Sequence, residues 1–319
     1  MPDYVVYGGR LRSTLPIPEL RVANASGEEE SPSWHFESST AEAPALHSAT
    51  EIGQDELFEN VWARFLRSRD TLRLQFDDTG VFDLHDAATR IVWYTKHGCE
   101  RDVARADLIG RVLPLAQHER GHLALHASAV CLEGRAIGFM APKNYGKSSL
   151  AMSLVTAHNA KLLTDDTLIV SPSTGVAMPG VHSVRLWEQS AGHFAGIGTG
   201  RPVLSDKRIF EQLPDASLEM GPAPIDALYT LVPTEPNSEV TVRREALDGI
   251  AATMALIQYQ KLGALLAGPD AARVFEGAAS LATRTSVYVL HIARDFARLP
   301  EAARSIAQWH QHLSAGSAR

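Results

Sequence analysis

The chain has 319 residues, 45% of them hydrophobic and 21% charged, and its 30 Lys and Arg against 37 Asp and Glu leave a formal net charge of −7. That balance excludes a wholly disordered chain, and it gives no general electrostatic reason to expect a nucleic acid or an anionic membrane as partner. Two cysteines, Cys99 and Cys131, are too few for a disulfide framework, and the apolar stretches fall short of the ~18–20 residues of a membrane span. The N-terminus has no basic-then-apolar run of the secretory kind, so the expectation is a cytoplasmic protein.

In chain order, Tyr4–Tyr7 reads as a short strand closed by Gly8-Gly9. From Ala23 to about Gln54 the composition turns acidic and Ser/Pro-rich, which predicts a mobile surface loop over residues 23–54. Thr71–Phe76 and Gly80–His85 alternate apolar and polar residues around Asp77-Asp78-Thr79, a hairpin signal, and Arg90–Tyr94 supplies another strand. Residues 1–100 are therefore expected to form a small β-rich domain. A helical connection is predicted over 101–119, where Val103, Leu108, Val112 and Leu115 share a face although Gly110 and Pro114 interrupt it.

Residues 120–319 read as α/β. Strands are predicted at Leu123–Leu132, Arg135–Met140 and Lys161–Val170, with a helix opening near Gly146 between the second and third. Further on come strands at Ile225–Val232 and Val240–Arg243 and a long helix over Glu245–Leu266 with apolar Ile250, Met254 and Ile257. A strand at Val287–Ile292 and a terminal helix from about Pro300 complete the reading.

The chemistry concentrates at Ala141-Pro142-Lys143-Asn144-Tyr145-Gly146-Lys147-Ser148, which departs from the phosphate-binding pattern Gly-x4-Gly-Lys-[Ser/Thr] only at Ala141. An alanine resists the positive φ that glycine accepts, which is what weakens the match. Gly146 would turn backbone N–H groups towards a phosphate, Lys147 would neutralise the outer phosphates, and the Ser148 hydroxyl would help to hold Mg²⁺. Ser149 follows on the first turn of the helix. Asp165 and Asp166 fall at the end of a strand, expected beside the loop in a parallel sheet. One carboxylate would meet the metal while the other accepts a proton from an attacking hydroxyl. His126, on the strand before the loop, reads equally as a core residue or a site residue.

These residues also resemble a family. Leu125–Val130, Gly146–Ala151 and Leu163–Asp166 are similar, in order and spacing, to the kinase domain of HPr kinase/phosphorylase and its relatives. The resemblance implies a P-loop kinase domain like that of phosphoenolpyruvate carboxykinase, preceded here by the β-rich domain, with ATP and Mg²⁺ as cofactors. The implied reaction is phosphorylation of a serine on a peptide or protein. It implies Asp166 as the base, Asp165 and His126 as its polar neighbours, Lys147 as the phosphate residue, Ser148 and Asp165 at the metal, and a homo-oligomeric assembly. The family's Glu-Ile-Arg-Gly segment is missing, and Pro179–Trp187 stands in its approximate place, which puts the reverse phosphorolysis in doubt. The Pro179-Gly180 and Arg185-Leu186-Trp187 pieces, the Ala141-Pro142-Lys143 start of the loop and Leu15–Leu20 look more like the subgroup encoded beside lasso peptides. Its members phosphorylate the C-terminal serine of a precursor peptide. Arg185 is expected to meet a phosphate or a peptide carboxylate, or to form a surface ion pair.

Two other function classes remain open at this level: a small-molecule hydroxyl kinase, and a regulator that senses nucleotide without transferring phosphate. A competing motif, His118-Glu119-Arg120-Gly121-His122, matches the His-Glu-x-x-His zinc pattern, which needs one helix through both histidines. Gly121 and the strand-like run from Leu123 argue against that helix.

Overall fold

A computed structural model describes residues 1–23, 33–194, 197–198, 200–203, 207–211, 213–235 and 241–311. The chain is mixed α/β and divides into two compact units, residues 1–124 with 260–277, and residues 125–259 with 278–319.

The first unit is built on strands β1 (Asp3–Val6), β2 (Gly9–Ser13), β3 (Arg21–Val22), β4 (Trp34–Ser39), β5 (Thr50–Phe58), β6 (Val61–Arg67), β7 (Leu72–Phe76), β8 (Gly80–His85) and β9 (Arg90–Thr95). They form one nine-stranded sheet in the order β3-β1-β2-β4-β9-β8-β7-β6-β5, antiparallel except at β2–β4 and β4–β9. The expected hairpin is β7–β8, with Phe76 opposite Gly80. The loop expected over 23–54 is corrected in part: residues 24–32 lie outside the described residues, β4 and the start of β5 take two stretches of the remainder, and residues 40–49 between them carry no strand or helix. The reason is the alternation of Trp34 and Phe36, both buried, with exposed His35, which outweighs the polar composition around them. Helices α1 (Arg101–Asp107) and α2 (Leu113–Glu119) follow, joined by a π-helical turn at Leu108–Val112. The interruption expected at Gly110 and Pro114 is thus absorbed by a widened turn with Pro114 in the first turn of α2.

β10 (Leu123–Leu125) spans the boundary between the units. In the second unit, β11 (Ala127–Leu132), β12 (Arg135–Met140), α3 (Lys147–His158), β13 (Lys161–Thr164), β14 (Leu168–Ser171), β15 (Val176–Met178), β16 (Val184–Trp187) and α4 (Glu188–Ala191) come first. Then come β17 (Arg201–Val203), β18 (Lys207–Phe210), β19 (Ala223–Thr234), β20 (Val242–Ala246), α5 (Gly249–Gln258), β21 (Ser286–Ala293) and, completing the unit, α7 (Leu299–Gln311); α6 (Pro269–Ala282) runs across the second boundary. The main sheet includes the run β13-β11-β12-β19-β21-β20, parallel at β12–β19 and β19–β21, and the antiparallel pair β14–β15 joins it along β19. β16, β18 and β17 make a separate three-stranded sheet. Phe139, Tyr229, Leu150, Leu154, Leu290 and Ile306 bring α3 and α7 onto the main sheet in one apolar core.

Three sequence expectations change here. The strand expected at Leu123–Leu132 breaks at His126, whose N–H donates to the Tyr259 carbonyl at 2.7 Å, so that histidine lies between strands. The strand expected at Lys161–Val170 breaks at Asp165–Thr167, because Asp166 takes a left-handed φ of 68°. The helix expected over Glu245–Leu266 is β20, then α5, then a 3₁₀ turn at Gly263–Leu265. The Asp248 side chain accepts the Ala251 N–H and starts α5 there, and Ile250 and Met254, expected on an apolar helix face, are exposed.

Candidate functional site

Strand register explains why distant residues meet. In β11, Ala127 pairs with Met140 at the end of β12, and Ala129 pairs with Thr164 at the end of β13. The start of one strand and the ends of its two neighbours therefore lie at one end of the sheet, where the 141–148 loop leaves β12 and the aspartates follow β13. β11 lies between β12 and β13 and is antiparallel to both, so the expected parallel neighbourhood of loop and aspartates is corrected: β11 supplies a site residue of its own, Ser128.

The loop closes onto α3 at Gly146, whose φ of 87° is left-handed and whose side has no heavy atom within 4 Å of a built Cβ. Steric space is not what calls for glycine; the backbone conformation is. Asn144 also takes a positive φ, 71°, whereas Ala141 does not and is fully buried in the apolar core. The penalty anticipated for alanine at the first loop position therefore does not arise. Pro142, Lys143, Asn144 and Tyr145 are exposed, and Ser149 is half-buried on the first turn of α3.

Lys147 is buried and folds back over the loop, donating from Nζ to the Ala141 and Pro142 carbonyls at 2.8 and 3.1 Å and approaching His126 Nε2 at 3.0 Å. His126 Nδ1 in turn lies 3.1 Å from the Asp166 carbonyl and 3.3 Å from Asp166 Oδ1. An ammonium can only donate, so it sets the neutral imidazole as the Nδ1–H tautomer, which donates to Asp166. The lysine, the histidine and the exposed carboxylate of Asp166 thus form one hydrogen-bonded row.

Asp165 faces the other way. Its carboxyl is buried and Oδ1 accepts the Ser148 hydroxyl at 2.8 Å and the Ser128 hydroxyl at 2.5 Å, while the Arg185 N–H approaches Oδ2 at 3.4 Å. Burial pushes its pKa above the ordinary carboxylate range, the Ser128 hydrogen bond opposes that shift, and the neighbouring Asp166 charge adds to it. No cation lies within ion-pair distance among the described residues, so the donor set of one buried carboxylate and adjacent hydroxyls suits a hard divalent ion such as Mg²⁺. The left-handed Asp166 lets two adjacent carboxylates point into different surroundings. Thr164 fixes that turn, donating from Oγ1 to the Thr167 carbonyl at 2.7 Å and accepting the Val181 N–H at 3.1 Å.

Arg185 stands on β16 with its side chain exposed and without an ion-pair partner among the described residues. Ser128 was quoted within a motif without a role of its own; nothing local marks it, since its importance comes from pairing opposite Phe139. The helix that the zinc pattern needs does not form, in keeping with the sequence reading against it. α2 ends at Glu119, Gly121 is left-handed at φ 83°, and His122 hydrogen-bonds Gln117. His118 and Glu119 do gather with Asp270, but Arg67 and Arg273 already neutralise these carboxylates in a salt-bridge network.

No family model matches the sequence, and no curated protein matches it. Among solved structures the chain is similar to the HPr(Ser) kinase/phosphatase from Coxiella burnetii, at 13% identity over 60% of this chain and 99% of that one, with a TM-score of 0.33. Among the described residues no helix is long and apolar enough to cross a membrane.

Proposed function

We propose that the chain is an ATP- and Mg²⁺-dependent kinase that phosphorylates a serine hydroxyl of a peptide or protein, in the narrowest form the C-terminal serine of a lasso peptide precursor. The observation that carries this reading is the convergence of Ser148 and Ser128 on the buried carboxylate of Asp165 at the mouth of the Gly146-Lys147 loop. The sequence motifs support the acceptor class.

A serine hydroxyl is a weak nucleophile, and phosphoryl transfer asks the protein chiefly to hold attacker and γ-phosphate in line and to neutralise charge. Loop N–H groups between Pro142 and Ser148 and the first turn of α3 offer donors to the phosphate chain. Lys147 would exchange its loop carbonyls for phosphate oxygens, a short movement of a flexible ammonium. Ser148 and Asp165 would hold Mg²⁺, which when bound screens the β- and γ-phosphate charge. The acceptor Oγ forms its bond to the γ-phosphorus as the bond to the β-phosphate oxygen breaks and ADP leaves; the hydroxyl proton passes to Asp166. His126, hydrogen-bonded to both Lys147 and Asp166, positions that carboxylate.

Incubation with ATP, Mg²⁺ and serine-ended peptides, followed by intact-mass and fragmentation analysis, tests the reading. The expected result is one or more phosphoryl groups on serine. ATP binding without transfer to any acceptor would instead make the chain a nucleotide-sensing regulator.

A further inference from the structure

The outer side of the 141–148 loop carries a second set of groups that the transfer chemistry leaves unused. Tyr145 and Trp187 retain 38% and 39% of their surface exposed. The Arg294 guanidinium, just past the end of β21, lies over the Tyr145 ring at 5.7 Å from its centroid and donates from Nη2 to the Asn144 carbonyl at 3.4 Å. It has no carboxylate partner among the described residues. From the opposite side, the Trp187 indole N–H donates to Asn144 Oδ1 at 3.1 Å. Both groups grip Asn144, the non-glycine residue that the loop holds at positive φ, so the loop tip is fixed from two sides.

We propose that Tyr145 and Arg294 form the platform on which the purine base of the donor nucleotide stacks, with Trp187 and Asn144 holding that platform to the phosphate loop. This rests on the phosphate-loop reading above. Bases stack on aromatic rings and on guanidinium planes because each offers a flat polarisable face, and an arginine already layered on a tyrosine keeps its plane without further ordering. The guanidinium also has N–H donors to spare, and the adenine ring nitrogens accept them.

The experiment compares Mg²⁺-ATP with Mg²⁺-tripolyphosphate, which shares the phosphate chain and lacks the nucleoside. Calorimetric titration should show ATP binding more tightly than tripolyphosphate to the unaltered protein. Arg294→Ala should weaken ATP by about tenfold or more, in line with the range for a lost base stack, and leave tripolyphosphate within about twofold. Retained tripolyphosphate binding also reports that the variant is folded. Arg294→Lys keeps the charge and loses the plane, so it should behave like the alanine variant. Parallel loss of both ligands in Arg294→Ala, or rescue of ATP by lysine, would make Arg294 a phosphate contact and overturn the platform. So would an unchanged ATP affinity in Arg294→Ala. Equal affinity of the unaltered protein for the two ligands would overturn the platform and leave the phosphate site standing. Binding of neither would remove both.

Discussion

At the residue scale, two adjacent aspartates are given opposite surroundings by one backbone angle. Asp166 sits at φ 68°, which turns its exposed carboxylate towards His126 while the Asp165 carboxylate stays buried against Ser128 and Ser148. Asp166→Asn preserves shape and removes the proposed proton acceptor. It is expected to lower turnover by about 10²–10⁴-fold and leave nucleotide affinity within about twofold, as measured by steady-state kinetics beside calorimetric titration. A second buried carboxylate, Asp107, has no place in this chemistry. It accepts the Thr79 hydroxyl at 2.7 Å, and burial pushes its pKa up to about 7. The folded state therefore holds a proton that the unfolded chain releases near pH 4. Stability from this group is complete below that pH and is lost as pH rises through about 7. Asp107→Asn, neutral at every pH, should raise the melting temperature relative to the unaltered protein at pH 8 and change it little at pH 4. An equal shift at both pH values would remove the linkage.

At the element scale, strand ends matter more than strand interiors. The residues of the site come from the start of β11, the loop after β12 and the turn after β13, so each strand contributes at one end of the sheet. The 3₁₀ turn at Gly263–Leu265 shows how closely elements of the first unit can approach: a Cβ on Gly53 in β5 would lie 2.2 Å from the Ala264 carbonyl oxygen and 2.8 Å from that of Leu265. Backbone atoms cannot rotate away as a side-chain tip can. Gly53→Ala is therefore expected to cost about 1–3 kcal/mol in chemical denaturation, through forced separation of β5 from the turn. The same reasoning shows where sequence patterning loses information. Trp34 and Phe36 carry a strand signal that an average over their acidic and Ser/Pro-rich surroundings hides, and the apolar residues Ile250 and Met254 suggest a helical face that stays in solvent.

At the scale of the whole molecule, a net charge of −7 and an anionic ligand are compatible because the local field at the loop is set by Lys147 and oriented N–H groups. If the proposed reaction is correct, Mg²⁺-ATP at about a hundredfold over its dissociation constant should stabilise the folded chain by about 2.7 kcal/mol. Amide exchange should slow at residues 143–150 and 165–167. Protection confined to other segments would place the nucleotide elsewhere.

The 141–148 loop, its position between a strand and a helix, the aspartate pair and most strands of the second unit were legible in the sequence, because glycine, lysine and alternating apolar residues act over a few neighbours. The break in the strand at His126, the role of Ser128 and the separation of Asp165 from Asp166 were decided only by tertiary structure. Each depends on a hydrogen bond to a residue far away in the chain, such as Tyr259 for His126 or Asp165 for Ser128. The arginine at position 294 belongs to the same class: 150 residues separate it from Asn144, and only the parallel order β12-β19-β21 brings the two ends together. Local chemistry wrote the 141–148 loop, whereas the sheet chose which distant side chains would surround it.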